Sequence, residues 1–165
     1  SLHDALPICF RATVQAIEAV GMTPRDVVFE VTELDHTENT QYLQGVLNFY
    51  RSAGFRIAID DLGSGYSSLN LIHQLRPDIV KLDMELTRNV HADSYKGLLT
   101  RKILEITQEL NIMTVSEGIE TEEEYRWLRE HGTMFVQGYY FAKPSAEPLT
   151  GHRTPTELAP THQSA

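Results

Sequence analysis

Between residues 27 and 141, short runs rich in β-branched and aromatic residues alternate with stretches that are apolar at helical spacing. The runs begin at Val27 (VVFEVTE), Phe55 (FRIAIDD), Asp78 (DIVKLD), Ile112 (IMTVSE) and Met134 (MFVQGYYF). Such runs, bounded by turn residues, are strands. Between them, Tyr42, Val46, Leu47, Phe49 and Tyr50 make one apolar helical face, and Leu69, Ile72 and Leu75 a second. Leu98, Leu99, Ile103, Ile106 and Leu110 make a third. Gly54 and Gly132 stand where helices stop, and Pro77 closes the second helix. Thr121 and Glu124 have capping-box spacing ahead of Tyr125, Trp127 and Leu128. A further helix is expected from Arg11 to Val20, ending at Gly21. Strands alternating with helices predict an α/β fold built on a parallel sheet.

The polar residues follow the same plan. The first run carries Glu30 and Glu33, the second ends in Asp60 and Asp61, and the third carries Lys81 and Asp83. The fourth ends in Glu117, with Glu120 beyond it, and the fifth carries Gln137. A parallel α/β fold gathers the C-terminal ends of its strands on one face, where sites form. Glu30, Asp60, Asp61 and Glu117 would then share one rim. Four unpartnered carboxylates repel one another, and some would take up protons. A hard divalent cation relieves that repulsion, because Mg²⁺, Mn²⁺ and Ca²⁺ prefer oxygen ligands. Adjacent aspartates can serve two metals roughly 3.5–4 Å apart, a device for phosphoester hydrolysis. Lys81 could orient the attacking water or stabilise phosphoryl oxygens.

Each residue also has a plainer role open to it. Asp60 and Asp61 could cap the next helix, Glu33 could be a solvated loop acid, and Lys81, in an apolar strand, could snorkel to the rim. Glu117 could serve the next helix start, and Gln137 a turn before Gly138. Their joint occurrence at successive strand ends favours the site. In DDLGSGYSSL, Gly63 and Gly65 permit a sharp bend, and Ser67 or Ser68 suits the helix N-cap. No GK[ST] follows, so the loop is not a P-loop. The histidines show no ligand spacing, and Tyr139, Tyr140, Phe141 and Trp127 read as packing residues.

Composition narrows the class. With 14 Lys plus Arg against 23 Asp plus Glu, the net charge of −9 argues against broad binding to DNA or RNA polymers. The single cysteine, Cys9, can form no internal disulfide, and a reducing, cytoplasmic setting is expected. No apolar run is long enough to span a bilayer. Residues 1–8 lack cap or turn logic and are expected to be non-native or disordered. Residues 150–165 carry Pro155 and Pro160 without hydrophobic period and are expected to be a disordered tail. One unit, 9–149, lies between.

Taken in order, FEVTE (Phe29–Glu33), DDLGSGYSSL (Asp60–Leu69), VKLD (Val80–Asp83), SEGIET (Ser116–Thr121) and QGYYFAKP (Gln137–Pro144) resemble the motifs of the EAL domain, a bacterial cyclic di-GMP phosphodiesterase family. The resemblance implies a partial TIM-like (β/α) barrel of about five parallel strands, with a two-metal Mg²⁺ or Mn²⁺ site on its rim. It implies metal ligation by Glu30, Asp60, Asp61 and Glu117, and catalytic roles for Lys81, Glu117 and Gln137. It places Asp83 and Glu120 near substrate and assigns Glu33 to holding the glycine loop. The implied reaction is hydrolysis of cyclic di-GMP to linear pGpG. A homodimer and an upstream sensory or cyclase domain, with any membrane anchor upstream, are compatible with it. A non-catalytic module binding the nucleotide or a protein is the alternative. The Glu-Ala-Leu motif itself, the arginine after it and an asparagine ligand on the next strand are absent. Five strands cannot close a barrel of about eight. The chain is therefore expected to be the C-terminal portion of a larger enzyme, inactive alone.

Overall fold

The computed structural model describes residues 2–32, 40–64 and 68–146. Five strands form one parallel sheet in the order β1 (Val28–Thr32), β2 (Arg56–Leu62), β3 (Ile79–Leu82), β4 (Met113–Ser116) and β5 (Phe135–Val136). Helices α1 (Leu2–Ala19), α2 (Thr40–Ser52), α3 (Ser68–Leu75), α4 (Met84–Thr87), α5 (Ser94–Glu109) and α6 (Glu122–Glu130) precede or connect the strands. Each strand lies beside its predecessor, and the order never reverses. That is the winding of a (β/α) barrel, whereas a doubly wound sheet has a switch point. The expected partial barrel is what the chain forms.

The core lies between the sheet and its helices. Ile57, Ala58 and Ile59 are consecutive and all buried, as in a parallel strand covered on both faces. Ile57, Ile59, Leu62, Val80 and Leu82 meet Leu47, Leu71, Ile72, Leu75, Leu104 and Leu128 in one cluster. Each fully buried leucine contributes about 1.5–3 kcal/mol. An aromatic group anchors α1 to this core: Phe10 meets Phe49 at 4.9 Å and Phe55 at 5.8 Å between ring centroids, edge to face. Among the described residues no helix is long and apolar enough to cross a membrane.

Several sequence expectations change in detail. The first helix starts at Leu2, ahead of the expected Arg11. The fifth strand stops at Val136, and residues 139–141 turn away. Gly138 causes this: a Cβ there would lie 2.1 Å from the Ile119 carbonyl oxygen, so only glycine lets the two backbones meet. The Tyr140 N–H then donates to that oxygen at 2.9 Å. Tyr140 and Phe141 pack on the core as expected, whereas Tyr139 is exposed. Helix α4 carries no periodic signal, being one turn long. Asp83 caps it, its carboxylate accepting from the Glu85 N–H at 2.8 Å. The capping box of Thr121 and Glu124 forms as expected. Ser68 is the first residue of α3. Glu33, Gly65, Ser67 and the segment 150–165 lie outside the described residues.

Candidate metal centre

Strand parity gathers the polar side chains. Glu30 pairs with Ala58, Ala58 with Ile79, and Ile79 with Met113. Residues in register share a face, and so do residues two apart along a strand. Glu30, Asp60, Lys81 and Glu117 therefore fall on one face. On the opposite face Val31, Ile59, Val80 and Thr114 are buried under the helices. Gln137 has the same parity as the site residues, two positions beyond Phe135, which pairs with Val115.

Asp61 has the wrong parity, and a bulge corrects it. Ile59 pairs with Val80 but Leu62 with Leu82, so β2 spends one more residue than β3 at this point. Asp61 takes a positive φ of 54°, which aspartate tolerates better than most residues. Its N–H donates to Asp60 Oδ1 at 3.0 Å. As a result, ligand oxygens of Asp60, Asp61 and Glu117 all lie within 4.8 Å of one another.

Lys81 stands at the centre of these acids. Its Nζ is 2.8 Å from Asp60 Oδ1, 3.0 Å from Glu117 Oε1 and 3.4 Å from Glu30 Oε2. Burial alone would lower the Lys81 pKa, but hydrogen bonds and charge from Asp60 and Glu117 outweigh it, and the net shift is upward. Lys81 is therefore a fixed cation and donor at neutral pH. Asp61 moves the other way from a normal acid. Burial, then the neighbouring Asp60 and Asp83 carboxylates, raise its pKa, and Lys81 only partly opposes them. A set of clustered carboxylates, one of them hard to ionise without a further positive charge, fits a hard divalent cation in both donor chemistry and charge.

The other expected residues are placed as follows. Asp83 is half-buried, spends one oxygen on the α4 cap and adds its charge to the field at Asp61. Gln137 is exposed, and its N–H donates to the Ser116 carbonyl at 2.8 Å, next to Glu117. Glu120 turns from the Lys81 cluster to Arg88, with Oε2 2.7 Å from Nη1. Glu33 cannot be placed, being outside the described residues.

Sequence reasoning missed Thr87 and Arg88. Thr87 Oγ1 donates to the Glu117 carbonyl at 2.5 Å, and Arg88 Nη2 to the Gly118 carbonyl at 3.1 Å. Both residues hold the segment that carries Glu117. The one local signal was Glu124, a capping-box acid beside an apolar helix face, whose burial calls for hydrogen-bond donors and favours a nearby cation.

Comparison with known proteins identifies the family. Residues 2–144 match the EAL domain family. The probable cyclic di-GMP phosphodiesterase PdeG of Escherichia coli (strain K12) is 39% identical over 126 residues, which are 75% of this chain and 25% of PdeG. The chain thus spans about a quarter of the length of that relative. Among solved structures, a standalone EAL protein from Vibrio cholerae O395 in a c-di-GMP-bound form is 40% identical, with a TM-score of 0.77 over 82% of this chain and 57% of that one. BlrP1 of Klebsiella pneumoniae, in a manganese and cyclic di-GMP complex, is 35% identical, with a TM-score of 0.76 over 81% of this chain and 34% of that one. The parallel strand order, the acidic rim and the match over nearly the whole described chain agree: the chain belongs to the EAL domain family.

Proposed function

We propose that this chain carries the acidic rim of a metal-dependent phosphodiesterase that opens cyclic di-GMP to linear pGpG. The observation that carries the reading is the convergence of Asp60, Asp61 and Glu117 within 4.8 Å at the strand ends. It is supported by relatives named for this activity and by a related structure holding manganese with the nucleotide. Glu30, Asp60, Asp61 and Glu117 would hold the cations, Mg²⁺ or Mn²⁺. When bound, these would neutralise phosphodiester charge and make a water acidic enough to attack near neutral pH.

The chain's own residues supply the rest. Lys81, held as a cation between Asp60 and Glu117, offers N–H donors to an anionic oxygen at the rim. Gln137 is exposed at the next strand end and can hydrogen-bond either water or substrate. Asp83 keeps the field beside Asp61 negative, which favours a cation there. Glu33 would hold the glycine loop, and Glu120 would lie towards the substrate side of its segment. In the reaction, water forms a new P–O bond, the P–O bond to one ribose breaks, and a proton passes to the departing ribose oxygen.

Five strands make up the described sheet, against about eight in a closed barrel. Turnover is therefore assigned to the barrel-complete form. A cytoplasmic setting, a homodimer and an upstream sensory or cyclase domain belong to the same proposal. The quarter share of PdeG that is matched leaves room for such a domain in proteins of this kind.

The test is pGpG release with Mg²⁺ or Mn²⁺, from this chain and from a version completed to eight strands. The proposal expects turnover from the completed version only. Cyclic di-GMP binding without turnover in the completed version would replace the enzyme reading with a binding module.

A further inference from the structure

The segment 117–121 carries Glu117 at one end and the start of α6 at the other. It is held on both flanks. On one flank Ile119 N–H donates to the Gln137 carbonyl at 3.2 Å, and the Tyr140 N–H returns to the Ile119 carbonyl at 2.9 Å. On the other flank stand Thr87 and Arg88, from the end of α4. Gly118, at φ 69°, passes so close to Met84 that a Cβ would meet the Met84 Cβ at 2.7 Å.

The Arg88 side chain reaches three points of this arrangement. Nη2 donates to the Gly118 carbonyl at 3.1 Å, and Nη1 is 2.7 Å from Glu120 Oε2. Nε is 3.9 Å from Glu124 Oε1 and has no hydrogen-bond partner of its own. Glu124 is fully buried and accepts from the N–H groups of Asn89 (2.8 Å), Glu120 (2.9 Å) and Thr121 (3.2 Å). Burial would raise its pKa, yet those donors, helped by the Arg88 charge, bring it below the ordinary value. A buried carboxylate thus fixes the far end of the segment, and the guanidinium ties that end to Gly118, the residue after Glu117. A lysine could supply the charge but not the planar fork that serves Gly118 and Glu120 together.

We propose that Arg88 is a positioning residue for the metal centre: through Gly118, Glu120 and Glu124 it sets where Glu117 presents its carboxylate. It touches neither cation nor substrate. Glu120 then acts as the clamp's outer jaw. The proposal rests on the metal-centre reading and adds a residue from outside the rim.

The experiment measures Mn²⁺ binding to the full chain by electron paramagnetic resonance, with thermal melting in parallel. The variants are Arg88→Met, Arg88→Lys, Glu120→Gln and Asp60→Asn. Asp60→Asn should abolish binding. Arg88→Met should weaken it about tenfold, and Arg88→Lys and Glu120→Gln several-fold, with Arg88→Lys melting within a few degrees of the parent. If Arg88→Met does not fold, Arg88→Lys and Glu120→Gln decide. Parent-like affinity in those two, with binding lost in Asp60→Asn, overturns the clamp and leaves the metal centre intact. Binding unaffected by Asp60→Asn overturns both.

Discussion

Lys81 Nζ lies 2.8 Å from Asp60 Oδ1, so a cation on β3 neutralises an acid on β2 and, through Glu117, the end of β4. The ammonium stands where the carboxylates converge. A divalent cation bound by Asp60 and Glu117 would therefore compete with the ammonium for carboxylate oxygens.

Replacing Lys81 with Met should cost about 1–3 kcal/mol, between the small value of exposed pairs and the larger one of buried pairs. Added Mn²⁺ should then raise the melting temperature more in Lys81→Met than in the parent chain, because ligand bound to the folded state stabilises it. Melting with and without metal checks both statements. An equal rise in the two proteins would show that Lys81 does not share the metal's oxygens.

Gly138 should tolerate no side chain. A Cβ would fall 2.1 Å from the Ile119 carbonyl oxygen and 2.3 Å from its amide nitrogen, both backbone atoms. Gly138→Ala should therefore destabilise by about 3 kcal/mol or more, in the range of severe overpacking. Urea unfolding measures it. A change below about 1 kcal/mol would show that the two backbones part easily.

Acid should act through Glu124. Its folded pKa lies below the ordinary 4.5, owing to the Asn89, Glu120 and Thr121 N–H donors and the Arg88 charge working against burial. A depressed carboxylate contributes stability that is complete above the unfolded value and is lost as pH falls through the folded one. Glu124→Gln should be less stable than the parent at pH 7, and the gap should narrow on acidification below about pH 4.5. Denaturation midpoints across that range check the sign, and a gap that widens in acid would contradict it.

The sequence disclosed the strand runs and the acids at their ends, because side-chain period and turn residues are local signals. Parity alone then places Glu30, Asp60, Lys81 and Glu117 on one face. Three features depend on distant partners and could not be read locally. The bulge that returns Asp61 to that face exists only in the pairing of β2 with β3. The turn of Glu120 towards Arg88 depends on a one-turn helix too short to show periodicity. The early end of β5 depends on the contact between Gly138 and Ile119. Asp83, expected near substrate, adds to the field at Asp61, but its hydrogen bond goes to the α4 cap.

Asp60, Asp61 and Glu117 are proposed to form a cation site. Crystals of this chain soaked in Mn²⁺ would test it by anomalous diffraction. An anomalous peak is expected among these three carboxylates, at roughly 2.0–2.4 Å from oxygen, as hard cations require. Well-ordered carboxylates still bonded to Lys81, with no peak between them at saturating Mn²⁺, would contradict it.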